Sequence, residues 1–274
     1  MLCTINNKYS IIEKIGEGTF GKVFKAKNIH SNQEVAIKIQ HKNIENVLKH
    51  EAKIYKYLND ISGVPNIRNY GCESGFNYLV LDLLGPSLSE KKLSGVNTIS
   101  FILDAINIIE FIHDKGIIHR DIKPDNFLVN ANTLYLIDFG LAKYYLHNNK
   151  HMEERKDKKL IGTAKFSSLN VHNGIEPSRR DDIESLCYSF ILIFGKELPW
   201  GNLQDVSNIK NSDNLSLQEI YLNIKKIKEG SLEWLHDIPG EFITMLLYCR
   251  KLNFYQKPNY NYIKCLFYNL LNVL

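Results

Sequence analysis

The chain has 274 residues, 44% of them hydrophobic and 23% charged, with a net charge of +4. That is enough to bury a substantial core in one large domain or two lobes, and too mild a positive excess for a dedicated nucleic-acid binder. The longest apolar run, around Phe190 to Phe194, is far short of a bilayer span, and MLCTINNKYS lacks the basic start and apolar block of a signal peptide, so neither membrane insertion nor export is expected.

Tyr9 to Ile15 and Lys22 to Lys27 alternate apolar and polar residues around a glycine-rich turn, and Glu34 to Ile39 reads as a third strand. An antiparallel sheet is expected, not a βαβ unit. From Ile44 to Leu58, the residues Ile44, Val47, Leu48, Ile54, Tyr55 and Leu58 recur at helical spacing, and Glu51 falls within that stripe, where a carboxylate needs a partner. Short strands near Ile67 to Tyr70 and Asn77 to Leu81 follow. Gly85-Pro86 continues neither a strand nor a helix interior. The lobe boundary is placed there, with a sheet lobe carrying one helix over residues 1–83 and a mainly helical lobe over 84–274.

Thr98 to Lys115 carries Ile102, Ala105, Ile106, Ile109 and Ile112 on one helical face. Arg180 to Phe194 is charged at its start and apolar nearly all round thereafter, as a buried central helix would be. Gln204 to Leu215 is polar and Asn-rich and reads as a surface loop, and helices over Gly240 to Leu252 and Tyr260 to Leu271 close the chain. The tyrosines and phenylalanines of these last helices are expected in the core. His147 and His151, although near Glu153-Glu154, are expected in a solvated loop and not in a metal site. The five cysteines, Cys3, Cys72, Cys187, Cys249 and Cys265, are scattered and never form a CxxC pair, which fits reduced thiols in an intracellular, cytoplasmic or nuclear, setting.

GEGTFGK at Gly16 to Lys22 fits GxGxxG and, read as GxxxxGK, most of a Walker A loop. A Walker A loop needs Ser or Thr where Val23 stands, and a Rossmann turn opens a helix where VFKAK reads as a strand. What remains is a strand-turn-strand flap whose glycines let the backbone approach a nucleotide's phosphates, or an ordinary hairpin turn. Lys38, ending Val35-Ala36-Ile37-Lys38, would alone be an edge charge; paired with Glu51 it would aim its ammonium at the α and β phosphates. In HRDIKPDN, His119 to Asn126, Asp121 is placed to orient an attacking hydroxyl, and Lys123 to neutralise charge on the transferring phosphoryl group. Asn126 offers an amide oxygen to Mg²⁺, and twelve residues later Asp138-Phe139-Gly140 adds a carboxylate for a metal bridging the phosphates. Gly140 is expected to permit a turn closed to other residues. Four such motifs in this order point to phosphoryl transfer.

On these motifs the chain resembles eukaryotic protein kinases, and over essentially its whole length it is similar to the casein kinase I family. GTAKFSSLNVHNGIEPSRRDDIESL carries Ser168-Leu169-Asn170 where most protein kinases have Ala-Pro-Glu and this family has Ser-Ile-Asn. LLGPSL at Leu83 to Leu88, HRDIKPDNFLV, LPW at Leu198 to Trp200 and KPNY at Lys257 to Tyr260 also match. The resemblance implies an α+β, two-lobed kinase fold and an ATP- and Mg²⁺-dependent serine/threonine protein kinase acting on acidic or already phosphorylated proteins. A monomer without nucleic-acid or membrane partners is expected.

By position, the resemblance makes Ile15, Gly16, Glu17, Gly18, Thr19, Phe20, Gly21, Lys22 and Val23 the ATP flap. Leu81 gates the back of the adenine pocket, Asp82 and Leu84 offer backbone hydrogen bonds to adenine, and Ile15, Val23, Ala36, Leu128 and Ile137 wall it. Asp182 would anchor the catalytic-loop backbone, while a solvated helix start stays open for Arg179 and Asp181. Lys158 and Lys165 match two positions of a basic cluster that reads a substrate phosphate. Lys165 stands for an arginine and lacks its bidentate fork, and SNIKNSDNLSLQEIY replaces most of a further basic stretch, so weaker priming is expected. Cys187 replaces a common glycine as a small hydrophobe. The family needs no phosphate on the activation segment to pair with Arg120, and its regulatory tail is not present in this chain, which implies constitutive activity. A pseudokinase scaffold is the main rival, opposed by the retention of Lys38, Asp121, Asn126 and Asp138. A kinase of small-molecule hydroxyls is opposed by the full activation segment.

Overall fold

The computed structural model describes residues 4–18, 21–42, 47–59, 61–91, 95–204 and 216–271. Cys3, Thr19, Phe20, Ile44 and the Asn-rich stretch 205–215 lie outside them. The chain forms two compact units, Met1–Pro86 with Leu128–Ala142, and Ser87–Phe127 with Lys143–Leu274. This differs from a single cut after residue 83, because Leu128–Ala142 clusters with the first unit. Backbone hydrogen bonds from Val129 N to Pro86 O (3.0 Å) and from Leu136 N to Gly63 O (2.8 Å) hold that segment there.

The first unit is a six-stranded antiparallel sheet in the order β1-β2-β3-β4-β6-β5, with β1 Thr4–Ile5, β2 Tyr9–Gly18, β3 Gly21–Asn28, β4 Glu34–His41, β5 Ile67–Glu73 and β6 Phe76–Asp82. Alternation sorts the side chains by face. Tyr9, Ala26, Val35, Ile37, Tyr78 and Val80 form a buried cluster with Ile5, each larger apolar side chain contributing about 1.5–3 kcal/mol. Val23, Ala36, Lys38 and Leu81 point to the opposite face, where Val23 lies across from Lys38 and Ala36 across from Leu81. At the start of β3, Gly21 has φ +142°, and a Cβ there would strike the carbonyl of Ile39. The helix α1, Val47–Tyr57, buries Leu48, Glu51, Ala52, Ile54 and Tyr55.

In the second unit α2 spans Gly95–Asp114, and β7, Ile117–Ile118, pairs with β10, Lys143–Tyr144. Between them in sequence, β8, Phe127–Asn130, and β9, Thr133–Leu136, form a hairpin that, from Leu128 on, belongs to the first unit. A second hairpin, β11 Leu146–His147 with β12 Lys150–His151, stands where a solvated loop was expected. Its turn residues Asn148 and Asn149 have φ of +49° and +60°, the combination a two-residue hairpin loop requires. His151 packs against Tyr145, Phe254 and Tyr255, each ring about 5.1 Å away.

The remaining helices are α3 Leu169–His172, α4 Arg179–Ile193, α5 Leu217–Glu229, α6 Gly240–Lys251 and α7 Tyr260–Leu271. The central helix α4 is buried nearly all round, as its composition predicts. Its charged start is not solvated: Arg179 donates to Tyr255 O (2.7 Å), Arg180 to Leu252 O (2.8 Å), and Asp181 accepts from Ser168 Oγ (2.6 Å) and Ser178 N (2.7 Å). Ser178 and Asp181 form a capping box that satisfies two helix-end donors. Sequence reading missed α5, although Ser216 and Glu219 form a second capping box ahead of buried Ile220 and Ile224. On α7 the expectation for aromatics holds only in part: Tyr260 and Phe267 are buried, whereas Tyr262 and Tyr268 are exposed.

The four described cysteines are free thiols. Cys187 and Cys249 are buried, which pushes both thiols up in pKa, while Cys72 and Cys265 are exposed. No helix among the described residues is long and apolar enough to cross a membrane.

Candidate active site

In the first unit, Lys38 Nζ lies 2.8 Å from Glu51 Oε2 and 2.7 Å from Asp138 Oδ1. Strand, helix and returning segment thus converge on one ammonium. Burial disfavours charge on both partners and raises the Glu51 carboxyl. The ammonium stays protonated against that burial, because Glu51 and Asp138 together lift it above the usual lysine range. Tyr55, one turn after Glu51, accepts a hydrogen bond from Asp138 N (3.0 Å) and meets the Phe139 ring edge-on at 5.0 Å. Asp138 itself takes φ +65°. The left-handed residue of this motif is therefore Asp138 and not Gly140. Gly140 supplies room instead, since a Cβ there would crowd Val47 Cγ1 at 3.2 Å and Asp138 Oδ1 at 3.4 Å.

In the second unit, Asp121 Oδ1 accepts from the N–H and the hydroxyl of Thr163, both at 2.8 Å. Lys123 Nζ reaches Asp121 Oδ2 at 3.0 Å and Thr163 Oγ1 at 3.0 Å. Asn126 Nδ2 donates to Asp121 O (2.8 Å). Gly162, with φ +81°, lets the segment before Thr163 approach: a Cβ there would collide with Arg120 O. Beneath the loop, Asp182 accepts from His119 N (2.7 Å), Arg120 N (2.8 Å) and His113 Nε2 (2.9 Å). Asp182 thus anchors the backbone as the resemblance implies, and His113, backed by Tyr260 Oη at 2.6 Å, is a supporting residue that sequence reading missed.

Residues 9–266 match the family described as the protein kinase domain. The chain belongs to the protein kinase family.

The residues assigned to the nucleotide pocket differ in how far the first unit covers them. Val23, Ala36, Leu81, Leu128 and Ile137 are partly exposed and Ile15 is exposed, leaving an apolar surface on the first unit that the sheet does not cover. Asp82 N is taken by Asn66 O (3.3 Å) and its carboxylate by Arg68 Nε (2.6 Å). The main chain of Leu84 has no hydrogen-bond partner among the described residues. Glu17 and Lys22 stand exposed beside the flap and approach each other to 3.9 Å, Gly16 and Gly18 lie within β2, and Thr19 and Phe20 fall outside the described residues. The described residues hold no cluster of three or more His, Cys, Asp or Glu that could bind a metal. Mg²⁺ does not need one, since one or two oxygen ligands plus phosphates suffice; Asp138 in the first unit carries a carboxylate oxygen and Asn126 in the second an amide oxygen, each within its own unit.

The two candidate anion-reading lysines are not alike. Lys158 lies 3.7 Å from Glu176, a buried carboxylate that also pairs with Lys143 (2.8 Å) and Arg120 (3.8 Å). Burial would raise Glu176, but Lys143, Arg120 and Lys158 hold it below the usual carboxylate range. Lys165 Nζ sits over the Phe166 ring at 5.8 Å and shares no ion-pair partner with Lys158 among the described residues.

His172, closing α3, is a half-buried group that makes stability depend on pH. Its Nε2 lies 3.1 Å from Ala164 O, and burial, followed by the nearby Lys228 and Lys225, pushes its pKa down to about 3. The unfolded chain protonates this ring near pH 6.5 and the folded chain refuses the proton until about 3, so stability falls as pH drops through that window. The slope from this residue is at most about 1.4 kcal/mol per pH unit. Urea melts between pH 7 and 4 are expected to steepen in this sense, and His172→Asn to flatten the acid limb.

Proposed function

We propose that this kinase domain is an ATP-dependent serine/threonine protein kinase of the casein kinase I type, acting as a monomer on acidic or pre-phosphorylated proteins in the cytoplasm or nucleus. The observation that carries the reading is the shared geometry of Asp121, Lys123 and Thr163, in which a carboxylate and an ammonium are held together beside the start of the Thr163–Ser167 segment. Asp121 orients the substrate hydroxyl. As its oxygen bonds to the γ phosphorus and the bond to the β–γ bridging oxygen breaks, the hydroxyl proton passes to the Asp121 carboxylate. Lys123 offsets charge gathering on the transferred group. In the first unit, Lys38, fixed by Glu51, holds the α and β phosphates, and Leu84 orients the base. Asp138 in the first unit and Asn126 in the second would each offer an oxygen to Mg²⁺, which when bound would supply charge neutralisation on the phosphates. Ser168-Leu169-Asn170 and its neighbours support the family type, and Lys158 and Lys165 the preference for acidic or phosphorylated sites.

Radiolabelled ATP offered with casein, a phosphoserine-primed peptide, its unprimed twin and a basic peptide tests this. Casein and the primed peptide are expected to label most and the basic peptide least. Absence of any labelling would point to a binding module without turnover, and equal use of the primed and unprimed peptides would remove the anion-reading role from Lys158 and Lys165.

A further inference from the structure

Near the end of α5, Lys228 is only 1% exposed. Burying an ammonium costs several kcal/mol unless its protons and charge find partners. A lysine near a helix C-terminus ordinarily serves its own helix's carbonyls, but the partners of Lys228 are far away in sequence. Nζ donates to Ala164 O at 3.0 Å and to Ser167 O at 2.6 Å. Burial pushes its pKa well below the usual lysine range; opposing that, Nζ stands over the rings of Tyr188 and Trp200, 4.7 and 5.0 Å from their centroids, whose faces favour the charged form. Trp200 in turn donates its Nε1–H to Lys165 O at 2.7 Å.

Three carbonyls of the short stretch Ala164 to Ser167 are therefore held by two side chains in mutual contact. The base of this clamp is itself fixed. Arg250 donates to the Lys228 carbonyl (2.9 Å) and to Tyr188 Oη (2.8 Å), and Tyr188 donates to Glu184 Oε1 (2.7 Å), which also accepts from Leu169 N (3.1 Å). The clamped stretch begins one residue after Thr163, which contacts Asp121 directly. Main-chain carbonyls gripped at 164, 165 and 167 cannot shift without moving Thr163.

We propose that Lys228 is a positioning residue, setting the backbone of 164–167 as the platform on which a polypeptide substrate lies. This rests on the protein kinase reading above. The clamp is expected to act on the protein substrate, because the stretch it holds follows directly on Thr163, which contacts Asp121.

The test compares wild type with Lys228→Met and Trp200→Phe, the latter keeping an aromatic ring and removing the indole donor. Steady-state kinetics with a peptide substrate, and amide hydrogen exchange, are the readouts. Lys228→Met is expected to raise KM for peptide at least about tenfold with KM for ATP within about twofold, and to speed exchange over 161–168 but not in the first unit. Trp200→Phe should move the same quantities in the same direction by less, and it carries the test if Lys228→Met does not fold. Parallel changes in both KM values, or folded variants with wild-type peptide kinetics and exchange, would overturn the role of Lys228. A wild type that transfers no phosphate would overturn the enzyme reading and this inference with it, an outcome distinct from an active wild type indifferent to Lys228→Met.

Discussion

Asp121→Asn is expected to lower phosphate transfer by about two to four orders of magnitude, the usual contribution of a positioned acid–base group, with thermal stability little changed. The amide is close in size to the carboxylate and its oxygen can still accept from Thr163 N. It cannot accept the hydroxyl proton, and its NH₂ faces the Lys123 ammonium where Oδ2 now lies 3.0 Å away. Nucleotide affinity should survive, because the residues proposed to hold ATP are in the first unit. Single-turnover labelling at saturating ATP is the measurement, paired with nucleotide titration of the same variant. Transfer within tenfold of wild type would take the hydroxyl-orienting role away from Asp121.

Asp182→Ala is expected to destabilise the fold by about 3–5 kcal/mol, as loss of one member of a buried, charge-assisted network does. Burial would raise this carboxyl, but His113 and then His119, including its backbone N–H, hold it below the ordinary carboxylate range, so it is charged. Its removal leaves the N–H groups of His119 and Arg120 without their acceptor. Arg120 also sits at φ +69°, a left-handed conformation that costs a bulky residue free energy and persists only while neighbours enforce it. Urea denaturation of the variant measures the loss; a change below about 1 kcal/mol would mean that the loop is held elsewhere.

The strands of the first unit are readable from sequence because each carries its own alternation. Glu51 is readable as an ion-pair partner because an acid on a buried apolar stripe must meet a cation or give up its charge, and Asp182 because the motif around it is specific. What escapes depends on partners distant in the chain. The stripe of α5 ends in Lys228, which reads as a solvated charge until carbonyls 61 and 64 residues away are in place. The Glu176 cluster draws cations from positions 120, 143 and 158, and no local pattern links them. Leu128–Ala142 follows the helical region in sequence yet joins the sheet unit through backbone bonds that carry no side-chain signature. The motif at Asp138 is legible as chemistry but not as conformation, since a glycine is the usual home of a positive φ that its neighbour in fact adopts.

The free cysteines give the protein a set of built-in attachment points. Cys72 on β5 and Cys265 on α7 are accessible, one in each compact unit, while Cys187 and Cys249 are screened from reagents and their thiolates disfavoured. With Cys3 replaced by serine, Cys72 and Cys265 would each take a thiol-directed probe reporting on its own unit, with no cysteine introduced.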